Sequence, residues 1–89
     1  METNNTSPVQ ITEASLAVFL AYAKDAGNWS GSPLIGGNVG GGKAERGNLT
    51  QLKQAGLIRT EVDSEERHLT WLYFTPAGKA LAAQHGIDL

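Results

Sequence analysis

The chain has 89 residues, no cysteine, and seven basic against nine acidic side chains, for a formal net charge of −2. That length holds one small domain, which buries roughly 60–65% of the surface its unfolded chain exposes, and the 40% hydrophobic share suits a folded chain rather than a disordered one. Without cysteine there is no disulfide framework, thiolate metal site or thiol nucleophile. The net negative charge argues against indiscriminate nucleic-acid binding, which goes with a basic domain, but leaves room for a local basic patch.

Residues 1–10 read as a flexible arm. The opening METNNTS is polar and carries Glu2, unlike the basic start of a secretory signal. The apolar run Ala14 to Ala23 covers ten residues, and a bilayer span needs about 20. A soluble, cytoplasmic protein without membrane contact is the expectation.

Thr12 is the expected N-cap of a first helix, with Ile11 and Leu16 placed as a hydrophobic staple. Glu13 then lies at the positive end of the helix dipole, Lys24 near the negative end, and Gly27 is the expected stop. Leu16, Phe19, Leu20 and Ala23 form an apolar stripe, widened by Ile11, Val18 and Tyr22, so this helix is covered on more than one side.

Seven of the eleven glycines crowd between Gly31 and Gly47. Trp29 to Ile35 reads as an anchored loop or short strand and Gly36 to Gly42 as mobile, while Ser32 and Pro33 have the chemistry to open one helical turn. Helical order returns near Lys43 or Ala44. Asn48 and Gln51 have capping-box spacing, which puts the firm start at Leu49. Leu49, Leu52 and Ala55 point inward, and Gly56 ends the helix in a left-handed conformation.

A strand over Leu57 to Val62, a turn over Asp63 to Arg67 and a second strand over Leu69 to Phe74 follow. Thr75 caps a last helix with Pro76 at its first position, and Gly86 and Ile87 are placed to close it in a Schellman motif. The order is helix, loop, helix, hairpin, helix. It defines a small α+β fold over residues 11–89, a winged helix-turn-helix with a two-stranded hairpin as its wing, and a short third strand from the Trp29–Ile35 loop as the expected extension.

Leu52, Gly56-Leu57-Ile58-Arg59, Asp63-Ser64-Glu65-Glu66-Arg67-His68 and Phe74-Thr75-Pro76-Ala77-Gly78 follow one another without a gap. Together they resemble the multiple-antibiotic-resistance-regulator (MarR) type of winged helix, over about a third of the chain. Three departures stand out. Glu66 and His68 replace an aspartate and an arginine of the family's wing. Glycine-rich sequence replaces the helix that precedes the recognition helix. Residues 1–11 and 76–89 are too short for the family's dimerisation helices. The resemblance implies DNA binding by the helix before the hairpin, with Asp63 orienting Arg67 toward the minor groove.

Between Lys43 and Arg59 four basic residues (Lys43, Arg46, Lys53, Arg59) stand against Glu45, a local balance of +3. Long basic side chains neutralise phosphates, and amides or arginine read base edges through paired hydrogen bonds. The expected function is sequence-specific binding of double-stranded DNA by a small, dimeric transcriptional regulator. Arg46, Asn48, Thr50, Gln51, Lys53 and Gln54 would enter the major groove, with Thr50, Gln51, Lys53 and Gln54 facing outward. Lys43 and Arg59 would hold phosphates and Arg67 would sit at the wing tip; an ordinary solvated helix face is the competing reading.

The alternative is a protein-interaction module. Leu69, Trp71 and Tyr73 face one side of the second strand, and Thr70, Leu72 and Phe74 the other. Such a strand is either buried on both sides or used in an interface with a second copy or another protein. Trp71 and Tyr73, beside a wing bearing Glu61, Asp63, Glu65 and Glu66, would carry that contact, with Trp29 part of the same question.

Other patterns carry less. Gly37 to Lys43 has the spacing of a phosphate-binding P-loop, but Ala44 stands where a magnesium-binding hydroxyl is needed. No spacing suggests a triad, a carboxylate pair or a metal cluster, so no catalysis, cofactor or metal is expected. His68 reads as a wing residue facing solvent or phosphate, and His85 as a residue suited to a helix C-terminus.

Overall fold

The computed structural model describes residues 11–39 and 43–89, with side chains from residue 45 onward in the second segment. The expected N-terminal arm (1–10), the glycines at 40–42 and the side chain of Lys43 lie outside the described residues. Helix α1 spans Glu13–Asp25, α2 spans Lys43–Gln54, strands β1 and β2 span Ile58–Val62 and Thr70–Phe74, and α3 spans Pro76–Gln84. This is a small α+β domain of three helices and a two-stranded antiparallel hairpin, an arrangement compatible with a winged helix.

Local signals set most of the helix ends. Thr12 caps α1 by accepting the Ser15 N–H at 3.0 Å, and Thr75 caps α3 by accepting the Gly78 N–H at 3.1 Å, with Pro76 at the first helical position. Both expected glycine stops hold. Gly56 (φ 76°) and Gly86 (φ 77°) adopt the left-handed conformation. The bonds from Leu57 N to Leu52 O and from Gly56 N to Lys53 O complete one Schellman motif, and Ile87 N to Ala82 O with Gly86 N to Ala83 O the other.

Three local expectations fail. Gly27 does not stop the first helix; the chain tightens into a 3₁₀ turn over Ala26–Trp29 and turns only at Ser30, which is left-handed at φ 58°. The side chain of Asp25, just before that turn, accepts hydrogen bonds from Asn28 and Trp29 and holds the tightened turn in place. The helical turn therefore forms upstream of Ser32 and Pro33, which are not helical. Asn48 caps nothing, because α2 already begins at Lys43 and Asn48 lies inside it.

The hairpin pairs Ile58 with Phe74, Thr60 with Leu72 and Val62 with Thr70. On the far side of β2, Ile35 N bonds to Thr70 O and Leu72 N to Pro33 O, so Leu34 bridges Trp71. The expected third strand is present as this single bridge.

Phe19, Tyr22 and Ala23 of α1, Leu49 and Leu52 of α2, Leu57, Ile58 and Leu72 of the hairpin and Ala82 of α3 form the core. Fully burying a Leu or Phe side chain contributes roughly 1.5–3 kcal/mol. Phe19 meets Phe74 edge-on at 5.6 Å, which fixes the inner face of the hairpin against α1. Gly78 lies so close to Leu57 that a β-carbon there would fall 2.1 Å from the Leu57 carbonyl oxygen.

Candidate nucleic-acid interface

Helix α2 carries most of the sequence-derived candidates, and tertiary packing divides them. On one flank Gln51 accepts the Thr12 N–H at 2.7 Å through Oε1, and Asn48 Oδ1 accepts from the buried Ser15 hydroxyl at 3.1 Å. Both are half-buried. The expected outward placement of Gln51 is thus corrected: it and Asn48 dock α2 onto the start of α1. On the opposite flank Arg46, Thr50, Lys53 and Gln54 are exposed. The Thr50 hydroxyl donates to the Arg46 carbonyl at 3.0 Å, a bond that keeps the side chain close to its own helix. Gly47 is on the open side, with nothing within 4 Å of where a β-carbon would lie.

Arg46, Thr50 and Lys53 line a groove of about 380 Å³ between α2 and the hairpin, whose far wall is Thr60, Thr70, Ile35 and Gly36. Two cations and the hydroxyls of Thr60 and Thr70 make it a surface suited to phosphate oxygens. The one acid in its lining, Glu45, is buried and turned to α1, where its two oxygens accept from the Tyr22 hydroxyl at 2.8 and 3.1 Å. The Tyr22 oxygen also accepts the Gly36 N–H at 3.1 Å. Burial, reinforced by the hydrogen bond and negative charge of Glu45, pushes the Tyr22 hydroxyl up to about 12. This link between α1, α2 and the 34–36 segment was not read from the sequence, because an acid and a tyrosine 23 positions apart carry no joint signal.

Arg59 does not join this surface. The register puts it opposite Tyr73, on the hairpin face turned away from Thr60 and Leu72. Its guanidinium lies 4.9 Å from the Tyr73 ring centre and 2.6 Å from the Glu61 carboxylate. Its expected role beside α2 is corrected accordingly.

At the wing, Arg67 and His68 are exposed in a turn closed by Leu69 N to Glu66 O at 2.8 Å. The implied partnership of Asp63 with Arg67 is not formed. Asp63 instead accepts from the backbone N–H groups of Glu66 (2.7 Å) and Glu65 (3.0 Å) and from the Trp71 indole (3.0 Å). These bonds, with the Glu66 N–H the largest influence, hold its carboxyl below the ordinary carboxylate value. His68 Nδ1 lies 3.7 Å from Glu66, and His85 is the C-cap residue of α3.

The outer hairpin face has a related construction. Trp29 and Trp71 meet edge-on at 5.7 Å, so Trp71 is covered by the 3₁₀ turn after α1 rather than by the helix itself. The Trp29 indole donates to Asp25 at 2.8 Å, while Asn28 and Asn38 donate to the other oxygen of that carboxylate, both at 2.9 Å. The two asparagine bonds, then the indole, hold the Asp25 carboxyl below its ordinary value. The result is a chain of contacts, Asp25–Trp29–Trp71–Asp63, joining the end of α1 to the wing. It borders a hollow of about 430 Å³ lined by Trp29, Glu61, Val62, Trp71 and Tyr73.

No protein-family model matches the chain, and comparisons with curated proteins and with solved structures find no match either. Among the described residues no group of three or more His, Cys, Asp or Glu is placed to hold a metal ion, and no helix is long and apolar enough to cross a membrane.

Proposed function

We propose that the chain binds double-stranded DNA sequence-specifically, as a small transcriptional regulator, through the exposed flank of α2. The observation that carries the reading is the placement of Arg46, Thr50 and Lys53 along one groove, with Gln54 exposed beyond them, while the acid of the same helix is buried against Tyr22. Lys and Arg there would neutralise phosphates, and Arg46 and Gln54 supply groups able to read base edges. Lys43 opens the same helix, and Arg67 stands at the tip of the wing. The resemblance over Leu52 to Gly78 favours the same use of α2, as an analogy of fold.

The test is an amide NMR titration with a random-sequence duplex at low and moderate salt. Shifts on α2 and Arg67 that fade with salt are expected, because phosphate contacts release counterions. Lys53→Ala should weaken binding to all sequences and reduce the salt slope by about one. An unchanged affinity in that variant removes the reading.

A second reading, a protein partner on the outer hairpin face, is favoured by the hollow beside Trp29, Trp71 and Tyr73, with Glu61 and Asp63 among its lining. Salt-insensitive binding with shifts on Trp71 and Tyr73 would replace the first proposal with this one.

A further inference from the structure

Among the described residues, no strand pairs with the outer edge of β1. Thr70 and Leu72 of β2 turn their backbone groups toward Ile35 and Pro33, so Trp71 and Tyr73 turn theirs toward Glu61 and Arg59 of β1. The backbone N–H and C=O groups of Ile58, Thr60 and Val62 therefore point away from β2. Such an edge is a template for a further strand, and proteins usually guard it with charge.

The charges on this edge are self-complementary. If β1 pairs antiparallel with a second β1 about a two-fold axis at Thr60, the Thr60 residues exchange both backbone hydrogen bonds. Ile58 is only 3% exposed, so the Thr60 pair is the hydrogen-bonded centre of the contact and Val62 lies at its open end. Arg59 then lies directly opposite the partner's Glu61, and Glu61 opposite the partner's Arg59, in the closely spaced pairs where side chains interact most. Sliding the pairing by one pleat in either direction sets Arg59 against the partner's Arg59, or Glu61 against the partner's Glu61. The pleat thus admits one register that satisfies both charges.

Two further observations fit. Arg59 and Glu61 are already held on one face by their own ion pair, with side chains 63% and 53% exposed. Val62, at 50% exposure, is the large apolar side chain left open among the described residues, and it lies on this same edge strand. We propose that two copies of the chain associate through the free edge of β1, joining their hairpins into one antiparallel sheet. Its outer face carries a four-charge cluster flanked by Trp71 and Tyr73 of each copy. The proposal is independent of DNA binding.

The test is the mass in solution, by sedimentation equilibrium on the full chain. The native protein should rise from 9.4 kDa toward twice that value, half-associated at roughly 10–100 µM, as suits a small contact. Thr60→Pro removes an outward N–H without removing a bond of the hairpin, so it should remain monomeric with an unchanged circular dichroism spectrum.

Arg59→Glu and Glu61→Arg should each weaken the dimer by about tenfold, since each puts like charges opposite one another. Mixed in equal amounts they should associate as tightly as the native chain, one contributing two carboxylates and the other two guanidinium groups. That mixture decides the matter even if Thr60→Pro fails to fold. A native chain monomeric to about 1 mM, a folded Thr60→Pro that dimerises normally, or a mixture that stays monomeric would overturn the proposal.

Discussion

The same substitution should have opposite signs at two glycines. At Gly78 the added β-carbon would lie 2.1 Å from the Leu57 carbonyl oxygen and 3.1 Å from its carbon. Both are backbone atoms, so no flexible side chain can swing aside. The first turn of α3 would have to retreat by roughly 1 Å, pulling Thr75 from Leu57 O, which its N–H reaches at 3.1 Å, and lifting Ala82 out of the core. Overpacking of this kind costs about 1–3 kcal/mol. Replacing a helical glycine by alanine returns about 1 kcal/mol, and a backbone collision belongs at the upper end of the overpacking range. The net is a loss of about 2 kcal/mol, or a fall in Tm of roughly 8–16 °C for a domain of this size. At Gly47 nothing stands within 4 Å. There only the propensity term remains, and Gly47→Ala should raise Tm by roughly 4–8 °C. Thermal unfolding followed by circular dichroism reads both. A Gly78→Ala protein as stable as the parent would refute the close approach of α3 to Leu57, and a destabilised Gly47→Ala would refute the open placement of that face of α2.

Tyr22→Phe removes the donor to Glu45 and the acceptor of the Gly36 N–H, and should cost about 1–3 kcal/mol in urea unfolding; a loss below 0.5 kcal/mol, at the low limit for one hydrogen bond, would mean that this link is not formed. The Tyr22 hydroxyl is raised from 10.0 to about 12, so the folded state holds its proton more tightly than the unfolded chain. That stability is whole below pH 10 and declines as pH rises toward 12; an ultraviolet titration in which Tyr22 ionises at the ordinary tyrosine value would contradict it. Asp25 and Asp63 are both shifted down, so the stability they confer is whole above the ordinary carboxylate value and is lost as pH falls through their lowered values. Both carboxylates hold a tryptophan indole, so tryptophan emission should change in that acid range, and Asp63→Asn should reduce the change.

Much of the backbone was legible because its signals are local. A cap and the N–H it accepts lie three residues apart, as Thr12 and Ser15 or Thr75 and Gly78 do, and a Schellman motif is complete within six. Alternation over Leu57 to Val62 and the aromatic and β-branched run Leu69 to Phe74 located the hairpin, and the apolar stripe of α1 contained the core residues Phe19, Tyr22 and Ala23. The errors share a cause. Asn48 has the spacing of a cap and Gln51 that of an outward group, but spacing along one helix says nothing of what packs beside it. Arg59 follows the cations of α2 in sequence, but a strand sends alternate residues to opposite faces, and Arg59 lies on the face away from α2.

The sequence by itself determined the start of α1, the stop of α2 and both ends of α3, that a hairpin follows α2, and that cations are concentrated before it. These features depend on interactions within a few residues. The tertiary structure decided which of those polar groups are free: Thr12 and Ser15 occupy Gln51 and Asn48, Tyr22 withdraws Glu45 from the groove, and Trp71 rather than Arg67 engages Asp63. It also decided that β1 keeps an open edge, because Leu34 takes the other side of β2. The physical reason is that a hydrogen bond across 8 to 39 residues depends on how the apolar faces meet, and many sequences with the same local pattern would join those groups differently.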